Sequence, residues 1–334
     1  LPRLKRFTRL LSSLVAISAL AGGMVTVAQA SKTLVVGDQA YNNLSVMEAA
    51  GMLDDLPYEV QWKQFSSGSP VAEALNTGNI DIGFVGDAPP LFLGALGGDF
   101  NIIGVSRQNL DGVAIVVRGD STIHSLADLR GKRIAIWRGS WSQQLLFNAL
   151  AKAGIPRDAV ELRYLDALDA SHALDSGAVD AIGSWDPYVI QLERRGARVL
   201  TTAEGLIPAQ SFIIASDSAI GDKRAIIGDF LQRVQRARAW SLDDPGHTDV
   251  YAEAWAGKTR ADPDIAKAWF ARSRTRVEPI TPAAIDGAQQ TVDFFAGIGL
   301  IDTYDVSRLF DDAFTRALRD NTHTDTASTA DTTR

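Results

Sequence analysis

At 334 residues the chain is long enough for two compact domains, and 46% hydrophobic with 22% charged residues is the make-up of a globular protein, not of a fibre or a multi-spanning membrane protein. The absence of cysteine excludes thiol nucleophiles, thiolate metal sites, disulfides and a lipid anchor on an N-terminal cysteine. A formal net charge of −7 excludes a nucleic acid or an anionic membrane held by a broad basic face, so a bound anion has to be held locally.

Residues 1–30 read as a cleaved signal peptide. Arg3, Lys5, Arg6 and Arg9 precede an apolar run from Leu10 to Ala21, and Ala28-Gln29-Ala30 has the small-x-small form of a cleavage site. With no cysteine to acylate after export, the expected compartment is the periplasm. At the other end, residues 319–334 are repeated Thr with Asp, Asn, His, Ser, Ala and Arg and no apolar periodicity, the pattern of a disordered tail.

Between these ends the pattern alternates between strand and helix. Thr33 to Gly37 predicts a strand, Leu44 to Leu53 a helix and Tyr58 to Trp62 a second strand. Ser66-Ser67-Gly68-Ser69-Pro70 opens a helix that stops at Gly78, and the strand Ile80 to Val85 leads into Gly86-Asp87-Ala88-Pro89-Pro90 and another helix. Ile102 to Val105 and Val113 to Val117 complete a first set of strands, and Ser125 with Asp128 has capping-box spacing. The strand Arg133 to Trp137 runs through Arg138-Gly139-Ser140-Trp141-Ser142 into an apolar helix. Beyond Asp222 the reading is mostly helical: Ala225 to Leu242, Asp249 to Ala256, Pro263 to Arg272, Pro282 to Ile298 and Val306 to Leu318.

An internal repeat organises these elements. Leu75, Gly78, Asp81 and Asp87 recur 99 positions later as Leu174, Gly177, Asp180 and Asp186, each set preceded by an alternating strand. This predicts an α/β protein of two lobes on one plan, with a first lobe of residues 31–117 and 206–318, a second of 118–205, and a hinge of two crossing segments near 113–118 and 205–215.

The catalytic inventory is thin. His124, His172, His247 and His323 are isolated, and there is no Gly-x-Ser-x-Gly elbow, P-loop or dinucleotide fingerprint. No metal or cofactor is expected. The sequence offers instead small, polar strand-to-helix turns at Ser66 to Pro70, Gly86 to Pro89, Arg138 to Ser142 and Ser184 to Pro187. Helix starts leave backbone N–H groups unbonded, and in an open α/β sheet they gather where ligands bind. Gly139 permits close approach, Ser140 and Ser142 offer hydroxyls, and Arg138 a charge; an ordinary helix cap with a solvated arginine is the other reading. Trp185 is a candidate ligand cover or a core residue, and Asp87 and Asp186 are candidate ligands or helix caps.

The chain resembles the nitrate, sulfonate and taurine binding proteins of bacterial ABC transporters, most closely the aliphatic sulfonate binding branch, over residues 33 to 315. The resemblance rests on Glu73 to Gly83, Gly86-Asp87-Ala88-Pro89-Pro90, Leu126-Ala127-Asp128-Leu129-Arg130-Gly131-Lys132, Arg138-Gly139-Ser140 and Trp185-Asp186-Pro187-Tyr188. It implies a type II periplasmic-binding-protein fold, a monomer that delivers an organosulfonate to an inner-membrane ABC permease, and no bond chemistry. Taurine or nitrate is the alternative ligand, and a desulfinase-like enzyme on the same fold a weaker one, since its nucleophile is a cysteine. The implied site takes Gln39, Gly68, Asp87, Ala88, Gly139, Ser140 and Asp186, with Tyr41, Phe65, Trp141 and Trp185 as aromatic walls that suit an alkyl or ring-bearing sulfonate. Two features depart from the family pattern: Arg138 and Trp141 replace a lysine and a small residue, and the first turn, Gly37-Asp38-Gln39-Ala40-Tyr41, lacks a basic residue.

Overall fold

The computed structural model describes residues 33–208, 210–316 and 318; the expected signal peptide and tail lie outside the described residues. The first sheet has six strands in the order β11-β4-β10-β3-β1-β2, where β1 is Thr33–Gln39, β2 Glu59–Phe65, β3 Ile82–Gly86, β4 Phe100–Arg107, β10 Gln210–Ser216 and β11 Arg276–Glu278. The second has five, β7-β6-β8-β5-β9, from β5 Val113–Val117, β6 Arg133–Ile136, β7 Glu161–Tyr164, β8 Ala181–Trp185 and β9 Arg198–Thr202. In each, three parallel strands (β2-β1-β3 and β7-β6-β8) adjoin an antiparallel strand that arrives from the other lobe: β10 in the first and β5 in the second.

Both sheets are covered on both faces, which explains why their strands read as near-continuous apolar runs. In β1, Leu34 and Val36 face α1 (Asn42–Ala49), α7 (Asp217–Asp243), α8 (Pro245–Thr259) and α9 (Pro263–Ser273). Val35, one residue out of phase, faces α2 (Gly68–Asn76), α3 (Ala88–Ala95) and α10 (Pro282–Gly297). Along β5, Ile115 and Val117 pack with α4 (Trp141–Lys152), while Ala114 and Val116 pack with α5 (Ala167–Asp175) and α6 (Tyr188–Arg194).

The repeat has a structural cause. Asp81 Oδ2 accepts from Val35 N at 2.7 Å while Asp81 N donates to Val35 O at 2.8 Å. Asp180 does the same to Arg133, at 2.9 and 2.8 Å. Each aspartate ties the third parallel strand of its lobe to the first, and Gly78 and Gly177 turn the chain into it at φ +72° and +73°.

Two expectations are corrected. Val113 to Val117 does not complete the first set of strands: β5 pairs with β8 and β9, so the second lobe begins before Val113, and the crossings run between Arg107 and Val113 and between Thr202 and Gln210. A strand buried on both faces carries no local signal of which sheet it joins. The expected helix from Val306 to Leu318 begins instead as two 3-10 turns, Val306–Leu309 and Asp312–Phe314, each opened by an aspartate cap, and helical backbone begins only at Thr315.

Candidate functional site

The helix starts of both lobes border one interlobe cleft of about 520 Å³. The first lobe contributes Gln39 from the end of β1, Gly68 from the start of α2, and Asp87 and Ala88 from the β3–α3 turn. The second contributes Arg138, Gly139, Ser140 and Trp141 after β6, and Trp185 and Asp186 after β8. Tyr41 and Phe65, expected as cleft walls, pack against the core instead. Ala40 and Tyr41 both adopt left-handed backbone, at φ 48° and 61°, a reversal that apolar alternation does not reveal.

The turn before α4 shows what it can offer an anion. Ser140 Oγ donates to Trp137 O at 2.7 Å and accepts from Ser142 N at 3.2 Å, so its proton stays within the turn and it acts as the helix cap. Gly139 N donates to Gln143 Oε1 at 2.7 Å and Gln143 N to Ser140 O at 3.1 Å. The N–H groups of Ser140 and Trp141 are left without a partner among the described residues, as expected at a helix start. Gly139 sits at φ +66°, which an L side chain adopts only with strain, and a Cβ there would lie 3.5 Å from the Phe92 ring. Ser140→Ala is therefore expected to lower stability by about 1 kcal/mol through the lost cap. It should lower ligand affinity by less than about 0.5 kcal/mol, because the hydroxyl proton already has a partner; urea unfolding and calorimetry read the two effects separately.

Gly68 has a different reason to be glycine. A Cβ there would lie 3.0 Å from Pro89 and 3.5 Å from the Gly86 N, so a side chain would crowd the start of α2 against the β3–α3 turn. Beside it, Gln39 Nε2 donates to Phe84 O at 2.8 Å, which leaves the amide oxygen for other contacts. Arg138 places its guanidinium 4.1 Å over the Tyr164 ring.

The three cleft aspartates all have protein donors. Asp38, fully buried, accepts from Gln39 N, Asn43 N and Nδ2, and Leu44 N at 2.9 to 3.1 Å, anchoring the start of α1. Burial raises its carboxyl pKa, and these bonds oppose the rise. Asp87, also fully buried, reaches across the cleft: Oδ1 accepts from Trp141 Nε1 at 2.6 Å, and Oδ2 from Thr291 Oγ1 of α10 at 3.0 Å. Burial pushes its pKa up to about 6. Asp186 accepts from Arg272 Nε at 2.9 Å and Nη2 at 2.5 Å, a two-pronged ion pair between β8–α6 and α9. Burial raises the Asp186 carboxyl, opposed by the guanidinium. Asp186 N also donates to Gly112 O at 2.8 Å, and a Cβ on Gly112 would lie 2.1 Å from Asp186 Oδ2, so the first crossing segment packs directly against this pair. With Arg194–Asp262 at 2.9 Å, these contacts hold the lobes together.

Several cleft residues were not singled out by sequence. Trp137 directly follows the β6 strand, and its ring lies 6.1 Å from that of Trp185. Trp255 and Trp269 come from α8 and α9, helices whose sequences read as padding for the first lobe. Arg238 of α7 lines the cleft and donates to Asn42 Oδ1 at 2.5 Å and Asn43 Oδ1 at 2.7 Å. His247, in contrast, pairs with Asp243 at 2.6 Å and stacks on Trp240, two residues that do not line the cleft. No group of three or more His, Asp or Glu side chains suited to hold a metal occurs among the described residues.

Comparison with known proteins agrees with this architecture. Residues 58–248 match the NMT1/THI5 like family. A putative aliphatic sulfonates-binding protein of Escherichia coli strain K12 is 33% identical over 238 residues, covering 71% of this chain and 74% of the relative. The crystal structure of the periplasmic aliphatic sulphonate binding protein SsuA from Escherichia coli superposes with a TM-score of 0.77 at 28% identity, over 84% of this chain and 97% of that one. The alkanesulfonate-binding protein SsuA from Xanthomonas axonopodis pv. citri, bound to MOPS, gives 0.76 at 28% identity, over 84% and 98%. The chain belongs to the NMT1/THI5-like family, and its fold is the two-lobed α/β fold of these periplasmic binding proteins.

Proposed function

We propose that this protein is the substrate-binding component of an ABC importer, that it works in the periplasm as a monomer, and that it holds an organosulfonate in the interlobe cleft before passing it to an inner-membrane permease. The observation that carries this reading is the α4 start, where Ser140 and Trp141, whose N–H groups have no partner among the described residues, line a cleft bordered by tryptophans. It suits an oxyanion with an apolar body. The relatives named for sulfonate binding support the same ligand class. Gln39, Gly68, Ala88, Arg138, Gly139, Trp141 and Trp185 form the proposed contact surface, with Asp87 and Asp186 holding the lobes around it.

The cleft aspartates do not call for an ammonium group on the ligand, since Asp38, Asp87 and Asp186 each already accept from protein donors. The protein does no bond chemistry on it. A thermal-shift and calorimetry panel of alkanesulfonates, arylsulfonates, taurine, nitrate and sulfate in sulfonate-free buffer tests the reading. A binding sulfonate is expected to add about 2.7 kcal/mol of stability at a hundredfold excess over its Kd. Sulfonates without effect, or release of sulfite during incubation, would overturn it.

A further inference from the structure

Of the seven tryptophans in the chain, five line the cleft. The other two are placed elsewhere: Trp62 packs on Phe230 at 5.9 Å and Trp240 stacks on His247 at 4.3 Å. The cleft tryptophans come from both lobes. Trp137 and Trp185 of the second lobe are 6.1 Å apart, and Trp185 meets Tyr188 edge-on at 6.5 Å. Trp255 and Trp269 of the first lobe meet edge-on at 5.3 Å.

The polar ends of two of these indoles are already committed to the protein. Trp141 Nε1 donates to Asp87, and Trp255 Nε1 to the Ala40 carbonyl at 2.6 Å. Trp255 is 4% exposed and belongs to the core behind the cleft, whereas Trp137, Trp141, Trp185 and Trp269 are only partly buried and leave a ligand ring surface, whose quadrupole favours offset or edge-on contact with another ring. At about 520 Å³ the cleft also has the size of sites that enclose a drug-sized molecule, well above the needs of a two-carbon sulfonate. A flexible alkyl chain would lose rotamer freedom on confinement there, whereas a flat ring has almost none to lose.

Resting on the sulfonate reading above, we propose that the cleft selects an arylsulfonate, whose ring is clamped between Trp137, Trp185 and Tyr188 of one lobe and Trp269 of the other, with Trp255 backing Trp269 from the core. The sulfonate head lies at the α4 start and the ring extends into the aromatic chamber.

The test compares sulfonates that share a head and differ in the body: benzenesulfonate and naphthalene-2-sulfonate against cyclohexanesulfonate and hexane-1-sulfonate, measured by calorimetry on the wild-type protein. The aryl compounds are expected to bind at least about tenfold more tightly than the saturated ones. In Trp185→Leu and Trp269→Leu, which keep apolar bulk but remove a ring from either lobe, that ratio should narrow in each variant that melts cooperatively. Saturated sulfonates that bind the wild type as tightly as the aryl ones would overturn the aryl preference alone. A ratio unchanged in both folded variants would overturn the two-lobed clamp. If none of the four binds, the sulfonate reading fails and this inference fails with it.

Discussion

Arg272→Ala is expected to open the protein and to weaken its ligand binding about a hundredfold. The Asp186 side chain is 3% exposed and receives both prongs of the Arg272 guanidinium, with Arg272 also 2.9 Å from Glu193. Removing one partner of a buried pair is far more damaging than removing both, because the remaining charge keeps its desolvation penalty; typical losses are about 3 kcal/mol or more. Here the penalty has an escape that an ordinary core lacks. The carboxylate belongs to the second lobe and the guanidinium to the first, so rotation about the two crossings can return Asp186 to water without unfolding either sheet. About 3 kcal/mol taken from the closed state corresponds to a change of roughly a hundredfold in the open-to-closed ratio. Solution scattering should show a larger radius of gyration for the ligand-free variant than for the wild type, and calorimetry the matching loss of affinity. Asp186→Asn combined with Arg272→Ala should recover part of both, since no charge is then left stranded. An unchanged radius together with unchanged affinity would remove this ion pair from the closing mechanism.

The repeat was legible in sequence because its key residues act locally. Asp81 and Asp180 bind a backbone amide of a neighbouring strand, and Gly78 and Gly177 supply a left-handed turn, so both copies need the same residue types at the same spacing. The polar turns were legible for the same reason: Gly139, with its positive φ, and the Ser140 cap write their conformation into residue type. The contributions of α8, α9 and α10 to the cleft were not. Trp255, Trp269, Arg272 and Thr291 occupy helices whose periodicity is fully explained by packing on the first sheet; Arg272 gains its second role only against Asp186 of the second lobe, and Thr291 only where α10 meets the β3–α3 turn at Asp87. The sheet assigned to β5 was hidden likewise: VAIVV is buried at every position, and its partners β8 and β9 lie far along the chain. Even the two aspartates read as candidate ligands or helix caps work at long range, since Asp87 is bound by Trp141 and Thr291, and Asp186 mainly by Arg272.

Asp87 should make the protein bind its anion more tightly as the pH falls towards 6, and Asp87→Asn should abolish that dependence. In the closed arrangement burial raises this carboxyl from 3.8 to about 6, while the Trp141 and Thr291 donors pull the other way. A group whose folded pKa is raised holds a proton that the unfolded chain has released, so between about pH 4 and 6 the folded state is favoured by acid and loses that advantage as the pH rises. The shift corresponds to roughly 3 kcal/mol across the window. Burial raises the Asp38 and Asp186 carboxyls as well, so the readout is the difference between wild type and Asp87→Asn in urea unfolding at each pH. That difference should decline from pH 4 to 6 and flatten above about 7. Binding gives an independent measure. A sulfonate beside Asp87 adds a second negative charge, which raises the carboxyl further and couples ligand uptake to proton uptake. Calorimetry at pH 6.5 in sulfonate-free buffers of different ionisation enthalpy should show fractional proton uptake by the wild type and none by Asp87→Asn. Equal uptake in both proteins, with parallel unfolding curves, would place the titrating group elsewhere and leave Asp87 as a fixed acceptor that joins the lobes at every pH.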